Sequence, residues 1–152
     1  LLIFDEPFTG FDPINTNLIK REIKRLSQEG ATVIFSTHRM ESVEEICDHI
    51  ALINHGKVMI EGPLLELRKA HQNGTYLITT KHPVDRWDKG TLVDQTNHHT
   101  GHRYTLKSEH YPADVLNALL IDHNLVAFEE VLPSVQDIFI DVVENGSNSA
   151  VQ

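Results

Sequence analysis

The stretch Leu1-Leu2-Ile3-Phe4-Asp5-Glu6-Pro7 decides how this chain is read. Four consecutive apolar residues running into two carboxylates suit a strand covered on both faces, as in a parallel sheet. In α/β sheets, ligands bind at the carboxyl ends of the strands. Asp5 sits at such an end, where it is suited to orient a metal-bound water or to hold Mg²⁺ beside phosphates. Glu6 leaves the same strand end in another direction and can accept a proton from water attacking a terminal phosphoryl group. An acidic pair also suits a solvated strand end. The apolar run before it and Pro7 after it favour the chemical reading.

Working outward, Thr9-Gly10-Phe11-Asp12-Pro13 reads as a turn into a helix. Asp12 can cap the free amides, and Pro13 fits the first helical position, where a missing N–H costs nothing. Asp12 is also a candidate for contacts across an interface and, with Asp5, for binding the cofactor. Ile19, Ile23 and Leu26 give the helix one apolar face, and Glu29-Gly30 ends it. Ala31 to Phe35 predicts a second buried strand, closed by Ser36, Thr37 and His38. A histidine at the same sheet end as Asp5 and Glu6 can hydrogen-bond a terminal phosphate and help fix the attacking water.

A second helix is expected over Met40 to Cys47, with Val43, Ile46 and Cys47 on its inner face. Two short strands, His49 to Asn54 and Lys57 to Glu61, flank the His55-Gly56 turn, and a helix follows Gly62-Pro63. Strand, helix, strand, helix and hairpin favour an α/β layer with a parallel sheet. Residues 1–69 hold only two convincingly central strands, too few for a closed core of about five. After a polar linker at His71 to Gly74, residues 75–145 read as a second domain and 146–152 as a loose tail. Strands at Tyr76 to Thr80, Thr91 to Gln95, Arg103 to Lys107 and Leu125 to Val131 surround a helix at Ala113 to Ile121. That order suits a small α+β, ferredoxin-like-related domain whose first helix is very short, around Val84 to Trp87. Ser134 caps a last helix with Val135, Ile138, Phe139 and Val142 facing inward.

The balance of 13 Lys plus Arg against 22 Asp plus Glu, net charge −9, argues against a general nucleic-acid surface, which needs concentrated positive charge. Cys47 is the only cysteine, so no disulfide forms within the chain and a reducing compartment is favoured. No stretch approaches the roughly 20 apolar residues that span a bilayer. Opening on a buried-type strand without an initiator methionine, the chain is expected to be a piece of a longer one.

These motifs together resemble the ATP-binding-cassette (ABC) ATPases. Leu2-Ile3-Phe4-Asp5-Glu6-Pro7 is similar to the Walker B strand, with Asp5 at the metal-orienting aspartate and Glu6 at the catalytic glutamate. Thr9-Gly10-Phe11-Asp12 is similar to the D-loop, although serine and leucine are commoner at the positions of Thr9 and Phe11. Thr32 to His38 resembles the strand leading to the H-loop histidine, and Ala51 to Gly62 the hairpin after it. Val131 to Val143 resembles the closing helix of an accessory domain in prokaryotic drug, sodium and antibiotic exporter ATPases. The resemblance covers residues 1–69 specifically and the tail more loosely. It implies an incomplete P-loop NTPase α/β sheet, with ATP and Mg²⁺ as ligands. It further implies a cytoplasmic subunit, peripheral on the membrane, that pairs with a second ATP-binding subunit, as a homodimer, and with a separately encoded permease, for export.

No GxxxxGK[ST] loop occurs in the sequence. The glutamine loop and the LSGGQ-type signature are absent too, and all three are expected before Leu1. The 152 residues by themselves are therefore expected to be inactive, with activity belonging to the full-length parent. Alternatives are a DNA-repair or chromosome-maintenance ATPase, a ribosome-associated cassette protein, and a structural or regulatory accessory module. A zinc-binding module built on His98, His99 and His102 lacks a fourth ligand at fixed spacing. Trp87 and Tyr104 are read as core or edge packing.

Overall fold

The computed structural model describes residues 1–98, 101–109, 112–120 and 125–148. The chain divides into two compact units, Leu1–Leu67 with Ser134–Gln152, and Arg68–Pro133.

The first unit opens with β1 (Leu2–Asp5), α1 (Pro13–Gln28) and β2 (Val33–Ser36). β1 and β2 pair in parallel with Asp5 opposite Ser36, so both strands end at one edge. α1 begins as expected: Asp12 accepts the amides of Ile14 and Asn15 at 2.9 and 3.1 Å, and Pro13 follows. Its inner stripe is Thr16, Lys20 and Ile23, spaced four and three apart. Lys20 is buried with its ammonium 2.5 Å from Glu45 and 5.9 Å from the Phe8 ring centroid. Two central strands are too few to close a core, and one sheet face is open as that shortage implies. Leu2, Phe4, Val33 and Phe35 are half-buried, but Ile3 is 71% and Ile34 54% exposed on the other face.

α2 (Met40–Ile46) and the hairpin β3 (His49–Asn54) and β4 (Lys57–Pro63) follow. The hairpin turns on His55 (φ 48°) and Gly56 (φ 73°), two left-handed residues that match the twist of the strands. α3 (Leu64–Ala70) then leads out of this unit.

The second unit contains β5 (Thr75–Thr80), β6 (Thr91–His98), β7 (Gly101–Lys107), α4 (Pro112–Leu120) and β8 (Leu125–Val131). Its sheet runs β6-β7-β5-β8, antiparallel throughout. One sheet face buries Tyr76, Ile78, Tyr104 and Leu106 against Val84, Val115 and Leu119. The short helix expected around Val84 to Trp87 does not form. That segment has no regular secondary structure, with the Val84 N–H bonded to the buried Tyr104 hydroxyl at 2.9 Å and Trp87 edge-on to the Tyr104 ring. The aromatic pair thus packs in the core, as expected.

The last helix, α5 (Val135–Asn148), packs on α2 in the first unit, with the Val135 N–H donating to Glu44 at 2.6 Å. The expected 75–145 domain therefore differs from the compact unit in this helix. Ser134 caps it as expected, receiving the Asp137 N–H at 3.0 Å. The helix runs through Asn148, into the segment expected to be loose, and residues 149–152 lie outside the described ones.

Candidate functional site

Phe8 fixes the turn after β1. It is fully buried, edge-on to Phe35 with ring centroids 5.5 Å apart, and its carbonyl accepts from Arg39 at 3.1 Å. Anchoring Phe8 holds Glu6 in a left-handed conformation, φ 45°, unusual for a side-chain-bearing residue and typical of functional sites. The Glu6 N–H donates to the Ser36 carbonyl at 3.1 Å, tying the two strand ends together.

Asp5, Glu6 and His38 meet at the carboxyl edge of the parallel pair. The Ser36 hydroxyl donates to Asp5 Oδ1. Glu6 faces His38: its Oε1 accepts the His38 backbone N–H at 3.0 Å and lies 2.7 Å from Nδ1. Its Oε2 accepts from the Thr9 and Thr37 hydroxyls, each at 3.2 Å. The His38 hydrogen bond is foremost in holding the Glu6 carboxyl below its ordinary value; partial desolvation opposes it, and the His38 charge and the two threonines assist. The His38 ring is 75% exposed, so a tautomer with Nδ1 bonded to Glu6 leaves Nε2 turned to solvent.

Asp12 is not part of this cluster. Both its oxygens serve α1, Oδ1 taking two amides and Oδ2 the Asn15 side chain at 2.5 Å. Of the histidines considered for zinc, His99 and the His98 side chain lie outside the described residues, and His102 stacks near Tyr104. Among the described residues, no group of three or more His, Cys, Asp or Glu side chains could hold a metal. Cys47 is no reactive thiol: burial, aided by Asp48, pushes it up to about 11.

Mg²⁺ is a hard cation that takes oxygen ligands and is usually held by one or two carboxylates plus waters and phosphates. Asp5, with the Ser36 hydroxyl beside it, fits one corner of such a shell. The remaining ligands would come from phosphate and water. Sequence reading missed the parts played by Thr9, Ser36 and Thr37. Their only signal was a run of hydroxyl residues beside the acids, and which carboxylate each meets depends on strand register.

A groove of about 860 Å³ opens beside this edge, lined by Ile3, Phe35, Ile50, Leu52, Val135 and Phe139 among others.

A parallel strand pair ending in Asp-Glu and His, joined to a separate and mostly antiparallel region, is the arrangement of a P-loop NTPase-like domain with an accessory domain. The chain belongs to the family described as ATP-binding protein DrrA1-3-like, C-terminal domain, which matches residues 62–143, more than half its length. It is homologous to ABC transporter ATP-binding proteins. One, an uncharacterized protein of Alkalihalophilus pseudofirmus, is 34% identical over 94% of this chain and 54% of its own length. Another, the uncharacterized YhaQ of Bacillus subtilis, is 31% identical over 94% of this chain and 48% of its own. The linearmycin resistance ATP-binding protein LnrL of the same organism is 43% identical over 44% of this chain and 22% of its own. The chain thus spans about half the length of the relatives it matches from end to end.

Proposed function

We propose that the full-length protein carrying this chain binds and hydrolyses MgATP to drive transport through a separate membrane permease, in the direction of export. Glu6 is the base that takes the proton of the attacking water. Asp5 orients Mg²⁺, and His38 supports Glu6 through Nδ1 while offering Nε2 to the terminal phosphate. One observation carries this reading: the Glu6–His38 pair, 2.7 Å apart, stands at the carboxyl edge of two parallel strands beside Asp5. Family membership supports the ATP-binding class. The resistance role in the name of the linearmycin relative supports export.

Asp12 would act at the interface with a second ATP-binding subunit, a homodimer partner, mainly by holding the start of α1. No described helix is long and apolar enough to cross a membrane, which supports peripheral attachment through the permease on the cytoplasmic face. The strand order β6-β7-β5-β8 supports a ferredoxin-like relation for the accessory domain, with an irregular segment in place of its first helix. The 152 residues supply no phosphate cradle, so the activity belongs to the whole protein.

The test is Glu6→Gln in the full-length protein. The amide keeps the size and loses the basicity, so turnover falls about 10²–10⁴-fold while ATP affinity is retained. Near-normal single-turnover hydrolysis would remove Glu6 from this role.

A further inference from the structure

Both oxygens of Glu6 are fully engaged, and unequally. A carboxylate offers about four acceptor positions. Oε1 has the His38 N–H at 3.0 Å and Nδ1 at 2.7 Å, and Oε2 has the Thr9 and Thr37 hydroxyls, both at 3.2 Å. A water that gives its proton to Glu6 must take one of these positions. Oε1 is the tighter side, since one donor is backbone and the other is the shortest contact. The exchange therefore falls on Oε2.

The two hydroxyls differ in how they are held. Thr37 is half-buried, and its oxygen accepts the Arg39 N–H at 3.2 Å, so its own hydrogen points to Glu6. Arg39 is in turn tied to the buried Phe8 turn. Thr9 is exposed, precedes Gly10 (φ 82°), and its hydroxyl oxygen makes no other hydrogen bond among the described residues.

We propose that Thr37 is a positioning residue that aims Oε2 of Glu6 at the attacking water, and that the Thr9 hydroxyl fills the position which that water takes over. The chain Arg39 N–H, Thr37 hydroxyl, Glu6 Oε2 fixes the rotation of the carboxylate about its last bond. With Thr37 in place, Oε2 keeps one fixed donor and one exchangeable one. This rests on the reading of Glu6 as the base.

The experiment compares Thr37→Val, Thr37→Ser, Thr9→Val and Glu6→Gln in the full-length protein, with kcat and KM for MgATP measured separately. Thr37→Val lowers kcat about tenfold with KM within twofold, the mark of lost orientation rather than lost binding. Thr37→Ser restores kcat to within about twofold, because the hydroxyl alone is needed. Thr9→Val lowers kcat clearly less than Thr37→Val does, because water replaces its hydroxyl. The proposal is overturned if Thr37→Val retains kcat, if Thr37→Ser fails to restore it, or if Thr9→Val falls as far as Thr37→Val. An active Glu6→Gln variant overturns the underlying reading instead, whereas an inactive one beside an unaffected Thr37→Val overturns only the role of Thr37.

Discussion

The two halves of this molecule use apolar residues in opposite ways. In the second unit, Tyr76, Ile78, Tyr104 and Leu106 are each no more than 2% exposed, sealed on one face of a four-stranded sheet. In the first unit, Leu1, Ile3 and Ile34 are 78%, 71% and 54% exposed on a sheet of two strands. The residue types are alike; the difference is what covers them. Exposed contiguous apolar surface of this kind belongs to an interface rather than to a free surface. The second unit has a sealed core of its own, and the first leaves an apolar sheet face open, with Asp5, Glu6 and His38 along the sheet edge.

Local opening free energies should separate the two most widely. The central strand β5 has a neighbour on each side and its core face sealed, whereas β1 and β2 pair only with each other among the described residues. Amide exchange in a monomeric sample should be at least about a hundredfold slower in Ile78 than in Ile3. Equal protection would break the comparison and require a covered sheet in the first unit.

A backbone constraint in the second unit provides a smaller test. Gly74 has φ 66°, and a Cβ there would lie 2.0 Å from the Ser108 carbonyl oxygen, whose amide pairs with the Gly74 carbonyl. Gly74→Ala should cost more than about 1 kcal/mol and reduce protection in β5 and β7. Urea denaturation measures it. An unchanged midpoint would mean that the edge of this unit is not closed there.

The sequence disclosed whatever depends on neighbours in the chain. The Asp12-Pro13 helix start, the His55-Gly56 turn and the Ser134 cap all rest on contacts within three residues, and all form. The meeting of Glu6 and His38 was also legible, because two apolar strands ending in polar groups point to one sheet edge. What stayed hidden spans distance. Val84 stays out of a helix where its amide finds a hydroxyl 20 residues away, and α5 joins the first unit through a bond spanning 91 residues. The bonds to Glu6 from Thr37 and to Asp5 from Ser36 depend on strand register, which sequence alone leaves open. The exposure of Ile3 and Ile34 was legible as well, since two central strands are too few to cover both faces.

The smallest effect expected is at Asp12, where the two readings of one residue can be separated. Its carboxylate caps α1, and the Asn15 amide, followed by the Asn15 side chain, holds it below its ordinary value of 3.8. A folded value lower than the unfolded one means that the stabilisation is complete above the ordinary value and is lost as pH falls through the lowered one. Asp12→Ala should therefore melt below the parent at neutral pH, and the gap should close in acid. Asp12→Asn keeps a capping oxygen without a titrating charge, so its melting point should stay near the parent at neutral pH and carry a weaker acid dependence. Circular dichroism melts from neutral pH down into acid follow both variants. A melting point for Asp12→Ala equal to the parent at neutral pH would show that α1 does not rely on this cap. Asp12 would then have to be explained by contacts outside its own helix, and the proposed pairing with a second subunit, not the lone chain, would be where to look for the effect of its loss.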